Sequence, residues 1–164
     1  MLNFTELYAM QKSLDEKIEK QHGLENKKLI QERILALYVE IGELANETRC
    51  FKFWSTKPAS DREKILEEYV DGLHFILSLG LTFSYEVEQL SEQQQRNDVS
   101  LTSLFNTLYE TLAKFDKEKT KSNYINLFEN FLIIGQKLTF SNEEIIGAYI
   151  EKNKVNIVRQ RTGY

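Results

Sequence analysis

Apolar residues recur at intervals of three and four along most of this chain, the spacing that places them on one face of an α-helix. The clearest run contains Leu101, Leu104, Leu108 and Leu112. Other runs of this kind are separated by short polar segments. The pattern therefore predicts an all-α fold, a helical bundle of about six helices.

Glycine and polar capping residues mark the ends of the predicted helices. The helices are expected over residues 3 to about 22, 26 to about 49, 60 to about 83, 101 to about 115, 124 to 138, and 141 into the C-terminal tail. Three starts have the capping-box spacing, in which a polar residue precedes a glutamate by three positions: Asn3 with Glu6, Ser60 with Glu63, and Ser141 with Glu144. The polar stretch 91–100 is expected to be a linker.

Composition narrows the class of protein. The 164 residues suit one globular domain, and 7 glycines with 1 proline are too few for the many tight turns of a β-sandwich. The single cysteine, Cys50, cannot form an internal disulfide, and no apolar run reaches the roughly 20 residues that a membrane helix needs. Because the N-terminus also lacks a signal-peptide pattern, we expect a cytoplasmic protein. A net charge of −4 argues against general binding to nucleic acid.

Acidic residues interrupt a segment that is otherwise apolar almost all round. Within residues 34–45, only Glu40 and Glu43 are charged. Because a helix turns by about 100° per residue, both lie on one narrow strip between apolar neighbours. A buried carboxylate is costly unless it is paired or bound to a metal, so the strip indicates a cation site. The alternative is a thin solvated face with some exposed apolar neighbours.

The next predicted helix repeats this arrangement. Asp71 is the only charged residue between Tyr69 and Leu81, and Glu68 precedes it by three positions. Four carboxylates from two helices supply the hard oxygen ligands that Mg²⁺ prefers, with Mn²⁺ as a substitute. No histidine or cysteine ligand accompanies them, which argues against zinc. The sequence therefore predicts a two-helix carboxylate metal site.

Three residues near the acidic positions are candidates for ligand binding. Phe75 follows Asp71 by four positions on the same helix face, where its ring either stacks on a base or packs between helices. His74 lies beside it and is either a structural hydrogen-bonding residue or a group near the site. Gln11 interrupts the apolar stripe of the first helix, where it either reads a polar ligand or marks the edge of the stripe.

Basic residues cluster in two further segments. The loop 48–57 contains Trp54 among several cations, which either meet phosphate oxygens or face solvent. The C-terminal segment places Lys152, Asn156 and Arg159 on one helical stripe. Such a tail either frays, as chain ends commonly do, or closes over a bound ligand.

With GLHF after Asp71 and the C-terminal pattern KN-x-x-N-x-x-RQ-x-x-GY, the two acidic motifs resemble those of the dimeric dUTPases. These enzymes belong to the all-α nucleoside-triphosphate pyrophosphatases, which include the MazG-like proteins. The resemblance covers the first half of the chain and its C-terminal end, whereas the variable middle region, 86–140, carries no motif that we recognise. It implies a single dUTPase-like domain over residues 1–164 and a homodimer.

The resemblance also assigns roles to individual residues. It implies Mg²⁺ ligands at Glu40, Glu43, Glu68 and Asp71, with Glu40 as the candidate general base and Glu43 as the next. It implies that uracil stacks on Phe75, and that the other substrate contacts come from Gln11 and Trp54 near the base, His74 near the sugar, Lys152 and Arg159 at the phosphates, and Asn156 with Tyr164 at the nucleoside.

The implied reaction is Mg²⁺-dependent hydrolysis of dUTP, and of dUDP, to dUMP. One alternative is a MazG-like pyrophosphatase for another nucleotide, which only the base-reading residues distinguish. Another is a helical interaction module whose acids are merely solvated. A third combines catalysis with binding of a repressor protein, as some phage members of the family do.

Overall fold

A computed structural model describes residues 3–90 and 98–163 of the chain, and these residues form six helices without a strand. The helices are α1 (Thr5–His22), α2 (Ile30–Thr48), α3 (Arg62–Phe83), α4 (Leu101–Lys117), α5 (Lys121–Lys137) and α6 (Asn142–Arg161). The predicted all-α fold is thereby confirmed, although most of the predicted linker 91–100 lies outside the described residues. Nowhere in the described chain does a helix combine the length and apolar character that crossing a bilayer requires.

Helix α3 lies at the centre of the bundle, because it packs against α1, α2, α5 and α6. Tyr69, Leu73, Ile76 and Leu77 on α3 are fully buried. Each fully buried aliphatic side chain contributes about 1.5–3 kcal/mol to folding. This packing fixes the position of α3, and with it the position of the acidic residues that α3 carries.

Two glycines permit the close approach of α3 and α5. A Cβ atom at Gly72 would lie 2.9 Å from Cε2 of Phe131, and one at Gly135 would lie 2.6 Å from the hydroxyl oxygen of Tyr69. The rings of Tyr69 and Phe131 stack with their centroids 4.5 Å apart. These ring positions therefore require residues without a side chain on the facing helix.

The capping box at Ser141 is confirmed, but the one at Asn3 is wrong. Ser141 accepts a bond from the backbone N–H of Glu144, whose carboxylate accepts one from the backbone N–H of Ser141. Helix α1 instead has Phe4 at its N-cap, and the side chain of Asn3 accepts a bond from the backbone N–H of Thr5. Because the N-cap is Phe4 and not Asn3, Glu6 is the second residue of the helix. The reciprocal bond of a capping box requires a glutamate at the third position.

Two further predicted helix starts are wrong. Ser60 does not cap α3, because its hydroxyl donates to the carboxylate of Glu47 and Asp61 takes the N-cap position. Helix α2 begins at Ile30 instead of near residue 26, because Leu29 adopts a left-handed conformation with φ of 50°. The bond between Ser60 and Glu47 ties the end of the loop between α2 and α3 back to α2.

The C-terminal segment forms a docked helix. Helix α6 runs to Arg161 and packs against α1 and α3. Tyr149 and Asn153 are buried in this contact, and the hydroxyl oxygen of Tyr149 lies 3.3 Å from the backbone carbonyl oxygen of Leu7. The described part of the tail is therefore a helix packed on the bundle, and its closure over a bound ligand stays a prediction.

Candidate metal and nucleotide site

Helices α2 and α3 lie side by side and run in opposite directions. Near one end of the pair, the guanidinium of Arg33 donates to the hydroxyl of Thr82 at 3.3 Å. Near the other end, Glu47 accepts the bond from Ser60. The acidic residues of the two helices therefore face one another at the middle of the pair.

Three of the four predicted metal ligands form one cluster, which we call the acid cluster. One carboxylate oxygen from each of Glu40, Glu68 and Asp71 lies within 4.8 Å of the other two. Oε2 of Glu40 is buried and has no hydrogen-bond partner. Burial, together with the charges of Asp71, Glu43 and Glu68, raises the pKa of Glu40 to about 7. Carboxylates crowded in this way repel one another, so the acid cluster is compatible with a divalent cation.

Glu43, the fourth predicted ligand, is exposed and lies outside the acid cluster. Its carboxylate is close enough to Glu40 to contribute to the raised pKa of that neighbour. Glu43 therefore lies next to the cluster on its accessible side. Its role as a ligand or a general base stays a prediction.

Two lysines pair with the acid cluster. Nζ of Lys152 lies 2.7 Å from Oδ2 of Asp71 and 2.9 Å from Oε1 of Glu67. Nζ of Lys64 lies 2.6 Å from Oε1 of Glu68. Sequence reasoning missed Lys64 and Glu67. The spacing of four between Lys64 and Glu68 is a signal for the first pair, but the contact of Glu67 with α6 has no local signal.

A pocket of ≈ 490 Å³ lies beside the acid cluster, with walls from α1, α2, α3 and α6. This volume is within the usual range for a small-molecule site. Glu40 and Asp71 form part of the wall, so the pocket opens onto the acid cluster. The predicted substrate residues that line it are Gln11, His74, Phe75, Lys152, Asn156 and Arg159.

A hydrogen-bond network joins three helices at this pocket. Oε1 of Gln11 lies 2.7 Å from Nδ1 of His74 and accepts a bond of 2.7 Å from the hydroxyl of Tyr149. Nε2 of Gln11 donates to Oδ1 of Asp15 at 2.8 Å. The hydroxyl of Ser78 donates to Oδ2 of Asp15 at 2.6 Å. The predicted residues Gln11 and His74 are therefore held by partners that sequence reasoning did not assign to the site.

The imidazole of His74 is neutral near pH 7. Burial, with a smaller contribution from the charge of Lys152, lowers its pKa to about 3. The ring stacks on Tyr149 with centroids 4.2 Å apart, and its buried Nε2 has no hydrogen-bond partner. His74 therefore lines the pocket with a buried ring nitrogen that no described protein group binds.

Of the two remaining predicted substrate residues, Trp54 does not line this pocket. Trp54 is exposed on the loop between α2 and α3, where its ring lies edge-on to that of Phe53 with centroids 5.1 Å apart. Tyr164 lies outside the described residues. The roles of Trp54 and Tyr164 stay predictions.

The fold and the site define an all-α protein with an acid cluster compatible with a divalent metal, beside a pocket of ligand size. A family model described as dUTPase matches residues 3–164, and the chain therefore belongs to the dUTPase family. This membership makes it a dUTP diphosphatase. The match confirms the resemblance and extends it through residues 86–140, whereas the relationship to the MazG-like proteins stays a prediction. No curated protein sequence matches the chain.

Proposed function

We propose that this enzyme hydrolyses dUTP to dUMP and pyrophosphate with Mg²⁺ as its metal ion, and that it also accepts dUDP. The acid cluster of Glu40, Glu68 and Asp71 is the observation that carries the proposal. Its carboxylate oxygens are the hard ligands that suit Mg²⁺ or, as a substitute, Mn²⁺. The buried, unpartnered Oε2 of Glu40 fits this assignment, because a cation would supply the partner that the described protein groups do not.

Mg²⁺, when bound by these residues together with Glu43, would neutralise charge on the phosphate chain and increase the acidity of a water molecule. Glu40 is the proposed general base, because its carboxylate lies within the acid cluster that would hold the metal ion and the attacking water. A carboxylate oxygen of Glu40 takes the proton of the attacking water. Glu43, which lies beside Glu40, is the alternative base.

The pocket holds the nucleoside in this proposal. Phe75 is partly buried in the pocket wall, and its remaining accessible surface supplies a platform on which uracil stacks. Gln11 lies near the base and His74 near the sugar. Both side chains are held by the hydrogen-bond network, so they need little rearrangement to bind a ligand.

Residues of α6 contact the phosphates and the nucleoside. Lys152 and Arg159 line the pocket, and Lys152 lies at its acidic wall, where phosphate oxygens replace its carboxylate partners. Asn156 lies on the same helix stripe and contacts the nucleoside. Trp54 near the base and Tyr164 at the nucleoside complete the proposed contacts on the strength of the family resemblance.

We also propose a homodimer. Five large apolar side chains on α2 and the loop that follows it are exposed: Leu35, Val39, Phe51, Phe53 and Trp54. A second copy that covers them removes this surface from water. Sedimentation should give about twice the chain mass of 19.3 kDa, and Val39→Glu should shift the protein toward the monomer. A wild-type monomer at micromolar concentration that turns over dUTP would contradict the dimer.

Product release from four nucleotides tests the reaction. Purified protein is given dUTP, dUDP, dTTP or dCTP, each with Mg²⁺ or with EDTA. We expect pyrophosphate from dUTP, inorganic phosphate from dUDP, and no release in EDTA. Glu40→Gln should lower turnover at least about a hundredfold, whereas Glu110→Gln, at an exposed position of α4, should leave it unchanged.

Two results of that experiment contradict the proposal. Full activity in EDTA would exclude a metal-dependent reaction at the acid cluster. A preference for a nucleotide without uracil would favour the alternative of a MazG-like pyrophosphatase.

A further inference from the structure

Asp15 has no part in the chemistry proposed above, yet it controls the orientation of a neighbouring amide. Its two carboxylate oxygens accept bonds from Nε2 of Gln11 and from the hydroxyl of Ser78. Because both oxygens of Asp15 accept, the carboxyl group binds the amino end of the glutamine side chain and not its carbonyl oxygen. Asp15 therefore turns the amino end of Gln11 toward itself and the carbonyl end away.

The orientation of Gln11 determines the hydrogen position on His74. Oε1 of Gln11 accepts the bond from the hydroxyl of Tyr149, and it lies 2.7 Å from Nδ1 of His74. Because an amide oxygen cannot donate, Nδ1 of His74 carries the hydrogen. The lone pair of the neutral ring is then on Nε2, the buried atom without a partner.

We infer that Asp15 is a positioning residue that makes Gln11 a hydrogen-bond donor and His74 a hydrogen-bond acceptor toward the bound nucleoside. The inference rests on the proposed function, because it takes the pocket as the nucleoside site. Both lone pairs of Oε1 of Gln11 are used within the network, and one of its two amide hydrogens is bound to Asp15. Only the second amide hydrogen of Gln11 remains for a ligand.

The hydrogen that Gln11 has left to donate favours uracil over cytosine. A carbonyl group of uracil accepts the remaining hydrogen of Gln11, whereas the amino group of cytosine in the same place presents a second donor. Two donors that face each other leave both unsatisfied in a buried pocket, which disfavours the wrong base. Asp15 thus contributes to the preference for uracil over cytosine through Gln11, without contacting the base.

The tautomer of His74 tests the first part of the inference. Nitrogen-15 NMR of the protein without metal or nucleotide distinguishes the protonated ring nitrogen from the one with the lone pair. The chain has 2 histidines, so a His22→Gln variant assigns the signals. We expect the hydrogen on Nδ1 of His74 in the wild type and a mixture of tautomers in Asp15→Asn, because an asparagine can offer either its oxygen or its amino group to Gln11.

Substrate preference tests the second part. We expect Asp15→Asn to lower the ratio of kcat/KM for dUTP to that for dCTP at least tenfold, mainly through a higher KM for dUTP. Ser78→Ala, which removes the other donor to Asp15, should lower the ratio by a smaller factor. Glu16→Gln is the matched control, because it removes one negative charge at the next, exposed position of α1 and should change neither the tautomer nor the ratio.

The results of these two experiments separate a failure of the inference from a failure of the proposed function. Hydrogen on Nε2 of His74 in the wild type would overturn the inference whatever the enzyme hydrolyses. An Asp15→Asn variant that melts lower but keeps the tautomer and the ratio would show a merely structural role and would overturn it too. A wild-type protein with hydrogen on Nδ1 that fails to hydrolyse dUTP would contradict the proposed function alone, because the tautomer is measured without substrate.

Discussion

The ammonium nitrogen of Lys152 lies 2.7 Å from Oδ2 of Asp71, so a residue of α6 supplies positive charge to the acid cluster of α2 and α3. The same nitrogen lies 2.9 Å from Glu67. Burial raises the pKa of Asp71 despite this pairing, which means that the carboxylate is still short of compensating charge. A divalent cation at the proposed metal site would therefore compete with Lys152 for Asp71.

We expect Lys152→Met to lower the melting temperature in EDTA and to increase the rise in melting temperature that Mg²⁺ or Mn²⁺ produces. The variant leaves Asp71 without its lysine partner and leaves Glu67 paired with Lys64. The loss destabilises the metal-free fold and makes the acid cluster more attractive to a cation. Thermal unfolding in EDTA and over a metal titration measures both effects. Lys154→Met, two positions along α6, is the control because Lys154 is exposed and pairs with the exposed Glu151.

Equal metal-induced rises in the wild type and Lys152→Met would contradict the competition. The control variant excludes an effect of the lost charge by itself, since Lys154 carries the same charge on the same helix. Lys152→Met should also lose dUTP turnover, because the proposed function gives Lys152 a contact with phosphate.

We expect Glu40→Gln to stabilise the metal-free protein in a pH-dependent way. The folded protein holds the proton of Glu40 up to a pH of about 7, whereas the unfolded chain releases it near 4.5. The wild type therefore loses stability as pH rises through this window, and glutamine does not. After allowance for solvent screening at this half-buried site, the gain should be about 1 kcal/mol, or about 2–4 °C in melting temperature.

Melting curves in EDTA at pH 5 and pH 8 check this expectation. At pH 5 the wild-type carboxyl is protonated, so the two proteins should melt within about a degree of each other. At pH 8 the variant should melt higher. A lower melting temperature for Glu40→Gln at pH 8 would mean that the charge of Glu40 stabilises the fold.

The local spacing of residues predicted the acid cluster well. Glu40, Glu68 and Asp71 interrupt apolar segments at helical intervals, so the sequence placed them on faces that packing then brings together. The same reasoning could not assign partners across helices. The pairing of Lys152 with Asp71 joins residues 81 positions apart, which depends on how α6 docks and not on any local pattern.

The first residues of the helices were predicted less accurately than the presence of the helices themselves. Capping-box spacing occurs at both Ser60 and Ser141, but only Ser141 caps its helix. The hydroxyl of Ser60 is used by Glu47, a residue on another helix. A tertiary hydrogen bond therefore overrides a local preference of comparable strength, and spacing alone cannot show which one forms.

We expect Gly80→Ala to destabilise the protein by about 1–3 kcal/mol. A Cβ atom at this position would meet the hydroxyl of Tyr124 and would lie 3.0 Å from Cε1 of Tyr8. Tyr124 cannot easily move away, because its hydroxyl donates to the backbone carbonyl of Ile76 at 3.1 Å and bonds to the hydroxyl of Tyr8 at 2.7 Å. Urea unfolding measures the change.

Gly147→Ala is the matched control for that measurement. Gly147 lies within α6, and nothing is within 4 Å of the Cβ that alanine would add. Because alanine favours a helix over glycine, this variant should gain about 1 kcal/mol. A similar loss for both variants would show that close packing at Gly80 is not the cause.

Removal of residues 156–164 should abolish most dUTP turnover and leave the fold nearly unchanged. This segment carries Asn156 and Arg159 of the pocket wall. It begins after the buried Asn153, which the truncated chain keeps. We expect turnover to fall at least about a hundredfold, the scale for losing groups that position a substrate. The melting temperature without ligand should change little, because none of the described residues in the lost stretch is fully buried and the contact between Gln160 and His22 lies at the surface. A shorter truncation that removes only residues 162–164 isolates the contribution of Tyr164. Unchanged turnover in the longer truncation would exclude Asn156 and Arg159 from the site, whereas a collapse in melting temperature would show that the end of α6 supports the fold.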